Sequence, residues 1–203
     1  MVLHGSPETG ASATTRLLTL HTHSGTHLDL PGHFCTGTTS FPIGGEMTYF
    51  PCHVREIPVR EGDPLTVAQL RSAVGELSEG AALLIRTGAQ AWRDADPDRY
   101  ALSHAWVDPG VPTFLRARLP RLALFGIDAI SVSIPGRKAE GRDCHRAFLC
   151  GSPPILLLED ADLSDPRLLS GPWRLHVFPY LAEDLDGIPV VAIAESDEEV
   201  AWI

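Results

Sequence analysis

From His23 to His33 the chain carries three imidazoles and one carboxylate, Asp29, inside eleven residues, with Gly25 and Pro31 set among them. Pro31 lacks a backbone donor and Gly25 admits conformations closed to other residues, so this run is a poor helix and has to fold as a bend. His23 and His27, four apart, would share a face only on a helix; a folded loop must bring them together instead. His27 and Asp29, two apart, share a face if the backbone is extended there. Neutral imidazole and carboxylate are the usual donors to zinc and to manganese. The run therefore points to a metal site, and metal-activated water is hydrolytic chemistry. Asp29, with two oxygens, is able to bridge two ions. His21 lies on the strand face of His23 and is read as packing or as an outer partner rather than as a ligand.

Composition narrows the setting. The 203 residues are 44% hydrophobic, enough for one well-buried domain, and the whole chain, residues 1–203, is read as that domain behind an irregular segment 1–15. Sixteen basic residues against 26 acidic give a formal charge of −10, which argues against a nucleic-acid surface and against binding to an anionic membrane. Arg116, Arg118 and Arg121 are the nearest thing to a basic cluster and read as a solvated face. The ligand expected is a small molecule. Cys35, Cys52, Cys144 and Cys150 have neither zinc-ribbon spacing nor framework density, so buried reduced thiols are expected. With no basic-then-apolar leader and no apolar stretch near the roughly 20 residues of a membrane span, the location expected is the cytoplasm.

Along the chain, strand character runs over 16–22, just before the histidines. Residues 35–51, rich in Gly, Thr and Pro, read as a long loop over the site, and a strand follows at 52–59. Thr66-Val67-Ala68-Gln69 has capping-box form and opens a helix to about Val74. A strand over 81–86 leads into a second long loop, 87–112, with a turn of helix at 103–106. A helix over 113–119 and a buried strand over 122–132 follow. Asp143 is placed to cap a short helix over 144–150, which Gly151 and Pro153-Pro154 stop. The apolar run 155–158 reads as a buried strand ending on Glu159-Asp160, and strands over 173–179 and 188–194 finish a mixed α/β layout. Phe41 and Trp92, in the two loops, are candidates to line a pocket, although loop aromatics more often only pack.

The fixed residues from His23 to Phe34 match the pattern H-x-G-T-H-x-D-x-P-x-H-F. On them the chain resembles the metal-dependent cyclases and hydrolases that include bacterial kynurenine formamidase and isatin hydrolase. Leu84-Ile85-Arg86-Thr87-Gly88, Phe125-Gly126-Ile127-Asp128-Ala129-Ile130-Ser131, His145 to Leu149 and Leu157-Leu158-Glu159 extend the likeness over most of the chain. Ser133 departs from it, standing where many relatives carry an acid.

The resemblance implies a β-rich single domain of α/β class, with a central barrel-like mixed sheet, a few flanking helices, and assembly as a homodimer or larger homo-oligomer. It implies metal ligation by His23, His27 and Asp29, joined through Asp29 by His145 and Glu159, with zinc or manganese bound as one or two ions per chain. His33 is implied as the general acid/base, with ligation as its alternative, and Asp160 is an alternative to Glu159. Read this way, the protein is a metal-dependent hydrolase of an amide or cyclic amide C–N bond, an arylformamidase acting on N-formylkynurenine included. A lactone- or polyketide-type cyclase or hydrolase on the same site, and a metal-dependent binding protein without turnover, are left open.

Overall fold

The computed structural model describes residues 1–37, 47–77, 79–180, 184–196 and 200–203. In chain order its elements are β1 (Val2–Gly5), β2 (Thr15–Leu17), β3 (His27–Asp29), β4 (Thr48–Glu56), β5 (Pro64–Leu65), α1 (Val67–Val74), β6 (Ala82–Arg86), α2 (Pro97–Ser103), β7 (Trp106–Val107), α3 (Gly110–Arg118), β8 (Leu124–Ile127), α4 (Lys138–Leu149), β9 (Leu156–Glu159), β10 (Trp173–Pro179), β11 (Gly187–Glu195) and β12 (Val200–Trp202). Among the described residues no helix is long and apolar enough to cross a membrane.

The main sheet runs β10-β4-β6-β8-β9-β3-β11-β12, and a further antiparallel pairing of β10 with β11 closes it into a barrel of seven strands. β4, β6, β8 and β9 run parallel; β3 and β10 run opposite to them, and β11 lies between those two, antiparallel to both. Strand periodicity then sorts the core into two. Ala82 and Leu84 of β6, Leu156 and Leu158 of β9 and Leu28 of β3 fill the barrel with Trp173, Leu175 and Ile188. The alternate residues Leu83, Ile85, Phe125 and Leu157 point outward and pack under α1, α3 and α4. That outer face also receives His27 and Asp29, because they flank Leu28, and Glu159, which pairs with His27 across β3 and β9.

The barrel-like mixed sheet with flanking helices is as expected, and several boundaries differ. Segment 1–15 is not irregular, since β1 and β2 form a small hairpin. The strand expected over 16–22 stops at Leu17, and the one expected over 122–132 spans only Leu124–Ile127. Residues 87–112 are no long loop: Asp96 accepts from the Arg99 N–H at 3.1 Å and Pro97 starts α2, an N-cap with a pre-set first residue. The helix expected over 144–150 begins at Lys138, so Asp143 lies inside it and caps nothing. Gly141 sits within that helix for a packing reason, because a Cβ there would come within 2.4 Å of the Ser133 side chain. The helix expected over 66–74 does form, with Thr66 and Gln69 bonding reciprocally at its start.

Two side-chain expectations also change. Cys35 and Cys150, 115 residues apart, form a disulfide, while Cys52 and Cys144 are free and buried. The fold brings their Cα atoms to 5.5 Å, a proximity that spacing along the chain does not encode. Arg116 is no solvated charge: it donates to the carbonyls of Phe148 and Pro153 at 2.6 and 2.7 Å, tying α3 to the C-terminus of α4.

Candidate metal centre

The site lies on the outer face of the barrel, between β3, β9 and α4. His27, Asp29, His145 and Glu159 are each buried to 3% exposure or less. His27 Nε2 lies 3.4 Å from Asp29 Oδ1 and 3.5 Å from Glu159 Oε2, and His145 Nε2 lies 3.4 Å from Asp29 Oδ2 and 3.5 Å from Glu159 Oε1. His23, on the bend before β3, sets its Nδ1 2.7 Å from Asp29 Oδ1. The five residues expected as ligands thus converge, with Asp29 touching all three rings.

The outer nitrogens fix what the inner ones can do. His27 Nδ1 donates to the Gly25 carbonyl at 2.8 Å, and His145 Nδ1 donates to the Gly141 carbonyl at 2.7 Å. In a neutral ring the other nitrogen, Nε2, is then a bare acceptor. Both Nε2 atoms face carboxylate oxygens, so acceptor meets acceptor, and His27 Nε2 and Asp29 Oδ2 are buried without a hydrogen-bond partner. Such an arrangement requires a proton or a cation between the groups. Tetrahedral zinc with bonds of about 2.0–2.1 Å separates its ligand atoms by about 3.3 Å, close to the gaps seen here. The donor set fits a divalent ion.

Electrostatics agree. Burial pulls the His27 pKa down, but Asp29 and Glu159 outweigh it and lift it to about 10. His145 and His23 are likewise raised by their carboxylates against burial. Burial alone would lift Glu159; His145 and His27 hold it well below the usual carboxylate range. A divalent cation is the natural competitor for these held protons. His145 stands in the second half of α4, away from the helix N-terminus, and the carboxylates outweigh burial in setting its charge.

Several side chains outside the ligand set hold it in shape. The Val132 N–H and the Ser131 hydroxyl donate to Glu159 Oε1 at 2.7 and 3.2 Å. Asp128, buried at a β8 end, accepts from Thr87 N, Thr87 Oγ1 and Gly88 N at 2.8, 2.6 and 2.8 Å, joining the Thr87-Gly88 turn to the Asp128–Ser131 turn. Asp160 does not substitute for Glu159. Its backbone turns to a φ of 55°, which swings the carboxylate away onto Arg93 and Tyr100.

His33 sits on a turn after β3, more exposed than the four buried groups. Its ring centroid is 4.2 Å from that of His23 and 6.0 Å from that of His145. Burial lowers its pKa, so it is neutral near pH 7 and able to accept a proton. His23, Asp29 and His33 also lie close enough to share an ion. His21 is exposed, its ring 6.3 Å from that of His23. Trp92 packs on the outer core under the Arg99 guanidinium, and Phe41, with the rest of residues 38–46, lies outside the described residues. Reasoning from sequence missed Asp186, whose carboxylate reaches both His23 and His33. An Asp-Gly pair opening a strand was its only local mark.

A closed barrel carrying buried histidines and carboxylates on its outer face defines a class of metal-binding α/β proteins. The chain belongs to the putative cyclase family, whose model matches residues 3–133; His145 and Glu159 come from beyond that span. It is similar to kynurenine formamidase of Bacillus cereus (strain ATCC 10987 / NRS 248), 29% identical over 186 residues, 92% of this chain and 82% of that protein. The kynurenine formamidase of Bacillus mycoides (strain KBAB4) is 26% identical over 189 residues, covering 93% and 83%. Its fold is similar to that of an isatin hydrolase solved with the product analogue thioisatinate, with a TM-score of 0.69 at 19% identity, over 95% of this chain and 77% of that one.

Proposed function

We propose that this protein is a metal-dependent hydrolase that cleaves an amide or cyclic amide C–N bond, with an arylformamide such as N-formylkynurenine as the leading substrate. The observation that carries the reading is the pair of inward Nε2 atoms, on His27 and His145, aimed at the Asp29 and Glu159 carboxylates in a buried cluster. The kynurenine formamidase relatives support the substrate class.

His23, His27, Asp29, His145 and Glu159 would hold zinc or manganese, as one ion or two. The bound ion supplies Lewis-acid polarisation of the scissile carbonyl and a water of lowered pKa. His33, neutral and beside the cluster, takes the water's proton and returns it to the leaving amine, general base and then general acid. Its greater exposure and its position at the rim favour that role over ligation. Ser131 and the Val132 N–H keep Glu159 oriented through the cycle.

The test is hydrolysis of N-formylkynurenine by zinc-loaded and manganese-loaded protein, with Asp29→Ala as control. Metal-dependent turnover lost in the variant supports the reading; turnover that survives loss of the metal overturns it.

Assembly as a homodimer or larger homo-oligomer and a cytoplasmic location complete the proposal. Phe178, Val191 and Trp202, exposed on adjacent strands β10, β11 and β12, offer an apolar face for a second copy. A monomer in sedimentation velocity at micromolar concentration removes the first part. Recovery of the protein outside the cell, where disulfides persist, removes the second.

A further inference from the structure

Asp186 brings one carboxylate within reach of both His23 and His33. Its backbone is set by the ladder: β11 pairs with β3 from Gly187 opposite Asp29, and the Asp186 carbonyl accepts from the Leu30 N–H at 2.9 Å, one step beyond. The Thr22 hydroxyl donates to Oδ1 at 3.0 Å and thereby turns the group. Oδ2 is left 3.3 Å from His23 Nε2 and 3.4 Å from His33 Nδ1. Gly187 completes the seat, since a Cβ there would fall 2.4 Å from the His23 ring.

The three rings directed at the cluster are then anchored by different means. His27 and His145 donate their outer N–H to backbone carbonyls, whereas His23 has a charged side chain for the purpose. A carboxylate on the outer nitrogen fixes the tautomer and orientation of a metal-binding imidazole and raises its basicity. The same oxygen beside His33 Nδ1 favours the tautomer with the proton on Nδ1, which leaves Nε2 as the basic nitrogen.

We propose that Asp186 is a positioning residue that orients His23 for metal binding and His33 for proton transfer with one carboxylate. The consequence for turnover rests on the hydrolase reading; the consequences for metal affinity and for the His33 tautomer do not. Asp186 is half-exposed on a loop end, so Asp186→Asn is expected to fold with an unchanged melting temperature.

The experiment compares wild type, Asp186→Asn and Thr22→Val in three measurements. Zinc affinity is read by competition with a chromophoric chelator, the His33 tautomer by ring 15N chemical shifts, and kcat and KM on N-formylkynurenine. Asp186→Asn should weaken zinc binding by about 10–100-fold and move His33 from the Nδ1–H to the Nε2–H tautomer. At saturating zinc, kcat should fall about tenfold or more with KM held within about threefold. Thr22→Val should move each readout the same way by less, and it decides the matter if Asp186→Asn does not fold. Zinc affinity within twofold of wild type overturns the His23 half, and an unchanged His33 tautomer overturns the other. If wild type itself shows no turnover, the hydrolase reading fails, while the first two measurements still judge Asp186.

Discussion

His27 and Glu159 face each other directly across the β3–β9 ladder, His27 Nε2 3.5 Å from Glu159 Oε2, although 132 positions separate them in the chain. Directly opposed residues on one face of a sheet are held at contact distance by the backbone itself. The centre is therefore preorganised by strand register, and α4 adds His145 from above.

That register separates two neighbouring acids. Glu159→Gln should weaken zinc binding by about 10–100-fold or more, because a carboxylate facing two imidazoles is lost. Asp160→Asn should leave zinc affinity intact and cost about 1–3 kcal/mol of stability, since Asp160 is bonded to the charged Arg93 and to Tyr100. Chelator competition and urea unfolding measure the two effects, and the reverse pattern would contradict the placement of these side chains.

Acid and base should both weaken the protein in chelator. Glu159 has a folded-state pKa below its ordinary 4.5, so its contribution is present above that pH and is lost as the pH falls through the depressed value. His27 is raised from 6.5 to about 10, so its contribution is complete below 6.5 and is lost as the pH rises toward 10. Thermal melts in chelator should peak between these limits, at about pH 5–6.5. Zinc must displace the His27 proton, so its apparent affinity should increase with pH up to about 10. A melting temperature that keeps climbing from pH 6.5 to 10 without metal would contradict the His27 assignment.

The Cys35–Cys150 bridge staples the turn that follows His33 to the end of the helix bearing His145. Thiol titration of unreduced, denatured protein should find Cys52 and Cys144 alone. Reduction should lower stability by about 2–4 kcal/mol in urea titrations, from the freedom returned to a long unfolded loop. Four titrating thiols in protein kept from reductant would remove the bridge.

Asp128→Asn is nearly isosteric, yet it replaces an acceptor facing three donors with a group that carries donors of its own. It should cost about 1–3 kcal/mol, read by urea unfolding, with zinc affinity falling less than for Glu159→Gln. Unfolding at the wild-type urea midpoint would show that the buried carboxylate does not join the two turns.

By itself the sequence pointed to the chemistry and to some of the elements that carry it, but not to β3. Imidazole and carboxylate are ligands wherever they stand, so the run from His23 to His33 pointed to a metal, and a period of two put His27 and Asp29 on one face provided the backbone there is extended, as β3 makes it. The Thr66–Gln69 capping box marked the start of α1, because a cap is a contact between near neighbours. Asp96 and Pro97 carry the same kind of local signal for α2, in a segment otherwise poor in apolar periodicity. Only the tertiary structure decided what depends on closure. It decided that β10 pairs with β11 to complete the barrel, that α4 extends back past Gly141 because Ser133 fills the space of a Cβ, and that Glu159 rather than Asp160 faces the cluster. It also brought Cys35 to Cys150 and Asp186 to His23 and His33. Most of these contacts join residues far apart in the chain, up to more than a hundred positions, and their distances follow from strand order and register, which local spacing does not record.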